Sequence, residues 1–282
     1  MTRRGGVLSY IALAAICLMA VPATVSEAAE PSRTYNTAKA KLMSGKPIVG
    51  GTVSTSDPNI YCAMANSGWD YLWIEMQHSP LTYSEVAKMI RACKDAPAIP
   101  FIRVPDATEG DIQKAMDIGA LGIVVPMVAS VEEAEALVKY ANYPPEGIRS
   151  HGGGQYGAIW GSDYRQTVND NLLLIVMIEQ PAAVEIVGEI AAVPGIDVVF
   201  AASGDLVSFT GWARNDPRYT AMVGEIRDAT LKAGKKLGGP FSWFGREGFT
   251  FFQGPGESSL IRSGTRAALT ATEREDVATG DQ

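Results

Sequence analysis

The sequence predicts an α/β fold closed as a (β/α)8 TIM barrel, and three observations carry that expectation. First, continuous apolar runs alternate with amphipathic helical stretches. The pattern is clearest over residues 172–206, LLLIVMIEQPAAVEIVGEIAAVPGIDVVFAASGDL. One apolar run, Leu172 to Ile178, ends at Glu179. Val184, Ile186, Val187, Ile190 and Ala191 then follow a helical spacing, and a second run, Ile196 to Ala202, ends at Asp205. Strands that are apolar throughout are covered on both faces, and two of them joined by one helix make a parallel βαβ unit. Second, polar groups recur where strands end: Glu75 and His78, Arg103, Glu179, Asp205. In a parallel barrel that rim binds ligands. Third, setting aside an N-terminal leader leaves roughly 250 residues, the usual size of one such barrel. A doubly wound open sheet is the alternative, but no GxGxxG follows the first strand.

The leader is MTRRGGVLSYIALAAICLMAVPATVSEAAE. It has a basic start at Arg3 and Arg4, an apolar core from Val7 to Val21 and a small-x-small cleavage signal at Ser26-Glu27-Ala28. This reads as a secretory signal peptide over residues 1–28; an uncleaved anchor is the alternative, but the apolar run is short for a membrane span, so the chain is expected to be exported and periplasmic. Residues 29–270 then form the barrel domain, and 271–282 a flexible tail. The net charge of −7 gives no basic surface for nucleic acid. Once the leader is removed, Cys62 and Cys93 remain. They have no metal-binding spacing, and an exported chain allows either a disulfide or two buried thiols.

Taken in order, residues 31–46 are a polar lead-in, helical at best. Pro47 to Val53 is a first strand, and 57–67 a helix closed by Gly68. Tyr71 to Ile74 is a second strand, running into Glu75-Met76-Gln77-His78. A helix over 83–94 leads to a third strand, Ile99 to Ile102, ending at Arg103. A short helix at 109–117 and a fourth strand, Leu121 to Val125, precede a helix at 131–140. The loop 142–161, with PPEGIRSHGGG, is too polar and Gly-rich for a core element. After the βαβ unit come a helix at 216–233, a short last strand at Lys236 to Gly239, the segment FTFF at 249–252 and a closing helix at 256–269.

Glu179 and Asp205 supply two hard oxygen donors on one rim, a set that suits Mg²⁺ or Mn²⁺ with positions left for water and substrate. Each also suits a helix N-cap or first-turn charge. Glu75, three residues before His78, can orient the imidazole and raise its basicity. Arg103 can grip a carboxylate at two points or pair with a neighbouring acid. Arg149 and His151, on the Gly-rich loop, can close over a ligand or stay solvated.

Together GWDYLWIEMQHSP, FIRVPD, AMDIGALGIVVPMV, EEAEALVKYANYPPEGIRS, the 172–206 segment and LIRSG resemble the HpcH/HpaI aldolase family of class II, metal-dependent pyruvate aldolases. Members include 4-hydroxy-2-oxoheptanedioate and 2-dehydro-3-deoxyglucarate aldolases. The resemblance covers roughly residues 40–270. It implies that Glu179 and Asp205 hold the metal, that His78 takes part in proton transfer and that Arg103 orients the 2-oxo acid. Backbone N–H groups near Ser203 and Gly204 then hold the pyruvate part, with Gln77 beside it.

The implied reaction cleaves a 4-hydroxy-2-oxo acid to an aldehyde and a pyruvate enolate held by the metal and Arg103. The family's Asp-x-Glu-His is here Glu75-Met76-Gln77-His78, which lengthens the acid and removes a charge. Its Gly-Pro-x-Asp-Leu is here Ala202-Ser203-Gly204-Asp205-Leu206, and Ser150 stands where Gly is usual. Oxaloacetate decarboxylation, or other enolate chemistry at the same site, is the second reading. An exported protein that binds 2-oxo acids without turnover is the third. The resemblance also implies a homo-oligomer, a hexamer in which the C-terminal helix is exchanged between neighbours.

Overall fold

The computed structural model describes residues 33–272, with Met1, Thr2 and Gly5; the expected signal peptide and the tail from 273 onward lie outside the described residues. Eight parallel strands close into a barrel, each paired with the next and the last with the first. They are β1 (Ile48–Val53), β2 (Tyr71–Glu75), β3 (Ile99–Arg103), β4 (Gly122–Val125), β5 (Leu173–Ile178), β6 (Val198–Ala201), β7 (Lys236–Pro240) and β8 (Phe249–Gly256). Most strand residues are buried on both faces, as their unbroken apolar runs require.

Aromatic rings fill the interior. Tyr71 stacks on Phe101 at 4.5 Å and on Phe251 at 4.9 Å, and Trp73 lies 5.4 Å from Phe200. Glycines on adjacent strands make the room: a Cβ at Gly50 or Gly122 would sit 2.2 Å from the ring of Tyr71 or Phe101. The barrel is therefore a packed core, and a ligand can bind only at its ends.

Helices cover the outside: α2 (Pro58–Ala65), α3 (Tyr83–Ala92), α4 (Glu109–Asp117), α5 (Val131–Ala141), α8 (Pro181–Glu185), α9 (Val187–Ala192), α10 (Ser203–Thr210) and α11 (Pro217–Lys232). Their starts follow local chemistry. Thr82 and Glu85 form a reciprocal capping box on α3, and Asp216 caps α11 ahead of Pro217.

Five expectations are corrected or resolved. The lead-in is more than surface: α1 (Thr37–Met43) buries Ala38 and Leu42. Its N-cap Asn36 donates to the carbonyls of Leu121 (3.1 Å) and Asn171 (2.8 Å) and closes the amino end of the barrel. The single helix expected between β5 and β6 is two, because Ile186 leaves helical geometry at φ −115°. The loop 142–161 contains a short helix, α6 (Tyr156–Trp160), and runs on into α7 (Tyr164–Asn171). Lys236 to Gly239 is not the last strand. FTFF belongs to β8, whose pairing with β1 closes the barrel. Cys62 and Cys93 form a disulfide with Cα atoms 5.5 Å apart, joining α2 to the C-terminus of α3. The last helix, α12 (Glu257–Thr270), buries none of its residues, and Ile261 is 57% exposed.

Candidate active site

The strand register brings the polar residues to one level. Glu75 and Arg103 end β2 and β3 as directly paired neighbours, Glu179 follows β5, and Asp205 lies in the first turn of α10 after β6. A cavity of about 320 Å³ opens at this carboxyl end. His78, Arg103, Ser203, Gly204, Asp205 and Arg214 line it. Glu179 lies almost wholly buried, at 2% exposure.

Glu75 does not form the expected dyad with the imidazole of His78. Its Oε2 accepts from Arg103 Nε (2.6 Å) and from Trp73 Nε1 (3.1 Å), and it lies 2.5 Å from Arg103 Nη2 in the same ion pair. Its Oε1 accepts from the backbone N–H groups of Gln77 and His78, both at 2.9 Å. The carboxylate is thus fully engaged, and what it fixes is the path of the 76–78 loop and the plane of the Arg103 guanidinium. Charge-assisted bonds of this kind are strong because both partners are shielded from water. Gln77 does not line the cavity. Its Oε1 is buried without a partner among the described residues.

Glu179 and Asp205 are neighbours at this rim, and the charge of Asp205 works against ionisation of Glu179. Burial pushes the Glu179 carboxyl up to about 7; the N–H of Met127 opposes that shift, and the neighbouring Asp205 charge adds to it. Met127 donates this bond from a left-handed backbone, φ 57°, rare for a side chain of its size.

No group of three or more His, Cys, Asp and Glu that could hold a metal occurs among the described residues. The donor set is this carboxylate pair, which has no Lys or Arg counter-ion within 4.0 Å among the described residues. Two neighbouring carboxylates, one of them disfavoured as an anion by burial and by the other's charge, fit a hard divalent cation, whose remaining positions would go to water or substrate oxygens.

Arg149 and His151 do not reach this site. Arg149 is buried, donating to Asp117 Oδ1 (2.7 Å) and the Tyr164 hydroxyl (3.1 Å), with its guanidinium 4.6 Å from the Tyr143 ring. Asp117 ends α4 and leads into β4, so this cluster belongs to the amino end of the barrel, opposite the cavity. Sequence reasoning missed Arg214, Ser242 and Gln253, which also line the cavity. Gln253 lay in a strand left unassigned. Arg214, within TGWARNDP, carries no periodic signal.

The sequence profile of HpcH/HpaI aldolase/citrate lyase matches residues 53–244. A hydroxypyruvate/pyruvate aldolase of Delftia acidovorans is 34% identical over 216 residues, 72% of this chain and 77% of that protein. A 2-dehydro-3,6-dideoxy-6-sulfogluconate aldolase of Pseudomonas putida is 32% identical, covering 71% of this chain and 77% of its own length. The crystal structure of an HpcH/HpaI aldolase/citrate lyase family protein from Burkholderia cenocepacia superposes with a TM-score of 0.78 at 27% identity, over 85% of this chain and all of that one. With the closed barrel and the polar rim, these matches place the chain in the HpcH/HpaI aldolase/citrate lyase family, as an aldolase-type carbon–carbon lyase.

Proposed function

We propose that the protein cleaves a 4-hydroxy-2-oxo acid to pyruvate and an aldehyde, or runs the reverse addition. The observation that carries this reading is the buried Glu179 with its neighbour Asp205, beside Arg103 at the carboxyl end of the barrel. The family generally depends on a divalent metal ion, and the two oxygen donors favour Mg²⁺ or Mn²⁺ here. Such an ion would act as a Lewis acid on the ketone and carboxylate oxygens of a 2-oxo acid.

The chain's own groups divide the remaining work. Arg103, locked by Glu75, points a fixed cation into the cavity where negative charge gathers on the former ketone oxygen. The first N–H groups of α10, at Ser203, Gly204 and Asp205, have no helical partner and take the substrate carboxylate. His78 removes the 4-hydroxyl proton as the C3–C4 bond breaks. His78 lines the cavity, and among the described residues no carboxylate hydrogen-bonds its imidazole, because Glu75 accepts from its backbone N–H instead. That same observation favours a second reading, oxaloacetate decarboxylation, which needs no base on a hydroxyl.

The reading extends to location and assembly. The N-terminal leader together with the Cys62–Cys93 bridge supports export to an oxidising compartment such as the periplasm. An amphipathic α12 with none of its residues buried supports a homo-oligomer, a hexamer with exchanged C-terminal helices.

The test is pyruvate release from 4-hydroxy-2-oxo acids and from oxaloacetate, in EDTA and then with Mg²⁺ or Mn²⁺, beside Glu179→Ala and His78→Ala. Metal-dependent aldol cleavage lost in both variants is the expected result. Turnover of oxaloacetate alone, retained in His78→Ala, would replace the aldolase reading with decarboxylation. Binding of oxalate with no turnover would leave a binding protein.

A further inference from the structure

At the first residue of α10 this chain departs from the family pattern. Gly-Pro-x-Asp-Leu is here Ala202-Ser203-Gly204-Asp205-Leu206, so serine stands in place of proline. Proline would bring no hydroxyl and no N–H. Ser203 brings both to the wall of the cavity. Two side chains hold its hydroxyl. Arg214, in the turn between α10 and α11, donates from Nε to Ser203 Oγ at 3.1 Å. The hydroxyl of Tyr219, in the first turn of α11, lies 3.0 Å from the same oxygen.

These contacts decide where the Ser203 proton goes. A guanidinium only donates, so Arg214 occupies one lone pair of Oγ. Tyr219 is buried, and among the described residues its hydroxyl has two acceptors, both on Ser203: Oγ at 3.0 Å and the carbonyl at 3.5 Å. The carbonyl is nearly out of reach and, inside α10, already serves the N–H of Val207. The tyrosine proton therefore falls on Oγ. With both lone pairs filled, the Ser203 O–H can only donate. Among the described residues it has no further partner, and the cavity is the space that Ser203 lines.

We infer that the Ser203 hydroxyl is a ligand-binding group, a donor aimed by Arg214 and Tyr219 at an oxyanion of the molecule in this cavity. Arg214 and Tyr219 are positioning residues that act through it. The nearby Arg214 charge also polarises the hydroxyl and strengthens it as a donor. The inference rests on the reading of the cavity as a 2-oxo-acid site, and its test separates the two.

The experiment is calorimetry on the full chain, reading Kd for Mn²⁺ alone and then for oxalate and pyruvate with Mn²⁺ in excess. Ser203→Ala is expected to weaken both anions about 10- to 100-fold, the range for a hydrogen bond to a charged group. Its Mn²⁺ affinity stays that of the parent, and Ser203→Thr, which keeps the hydroxyl, binds the anions like the parent. Tyr219→Phe weakens them less, because the freed lone pair lets the hydroxyl turn, and this effect vanishes in the Ser203→Ala background.

Anion binding unchanged in Ser203→Ala overturns the inference. So does an equal loss of Mn²⁺ affinity, which would mean that the start of α10 had moved and carried Asp205 with it. So does a Tyr219→Phe effect of the same size in both backgrounds. Should Ser203→Ala not fold, Tyr219→Phe decides alone: weaker anions with unchanged Mn²⁺ support the inference, and unchanged anions overturn it. If the parent binds neither oxalate nor pyruvate, the 2-oxo-acid reading itself fails and the inference falls with it.

Discussion

Glu75 and Arg103 face each other across adjacent strands in direct register, with the guanidinium 2.5 Å from the carboxylate and both side chains at most 10% exposed. The register decides the chemistry of both residues. It diverts Glu75 from His78 and turns Arg103 into a braced cation.

Removing one partner of a buried pair leaves the other charge without a counter-ion, a cost of about 3–5 kcal/mol. Glu75→Ala is therefore expected to lower the melting temperature sharply, and Glu75→Gln less, since the amide still accepts from the Gln77 and His78 N–H groups. If Glu75 instead acted through the His78 imidazole, Glu75→Gln would shift the pH profile of kcat while leaving the melting temperature alone.

The second prediction concerns pH. Glu179 titrates near 7 in the folded chain against an ordinary value of 4.5, chiefly because it is buried. Between those values the folded chain holds a proton that the unfolded chain has lost. In EDTA this group's contribution to stability therefore falls as pH rises from about 4.5 to about 7. Glu179→Gln removes the slope, so the parent should lose stability relative to that variant across the window. A divalent ion must displace the same proton. Metal affinity should drop below pH 7, with proton release on binding visible by calorimetry in buffers of different ionisation enthalpy.

Met127 offers a third. Its N–H reaches Glu179 from a left-handed backbone, a conformation that costs roughly 1–2 kcal/mol for residues with a Cβ. Met127→Gly keeps the N–H and relieves that strain, so it should be at least as stable as the parent and bind metal equally well. Met127→Val adds β-branching where φ is positive. It should be less stable and bind the metal more weakly, measured by thermal melts and metal titration.

A fourth is the disulfide. The bridge spans 31 residues of sequence, and a closed loop of that length stabilises by about 3–4 kcal/mol in the chain-entropy description. Cys62→Ser with Cys93→Ser should melt roughly 6–16 °C lower, at about 2–4 °C per kcal/mol for a domain of this size. Pyruvate release at 25 °C should stay unchanged, because neither cysteine lines the cavity.

The sequence by itself determined the barrel and most of its rim. Apolar runs that never alternate can only be strands covered on both faces, and Glu179 and Asp205 are bound to sit at the ends of such runs whatever the neighbouring strands do. Periodicity also placed α3, α4, α5 and α11 to within a few residues. Tertiary structure decided everything that depends on which residues face each other across the fold. It chose Arg103 over His78 as the partner of Glu75, since strand register is a property of two segments 28 residues apart. It brought Cys62 to Cys93, and it carried Arg149 to the opposite end of the barrel. It also placed Arg214 at the mouth: an irregular turn has no period to read, and only the closed ring of strands shows which cavity that turn overlooks.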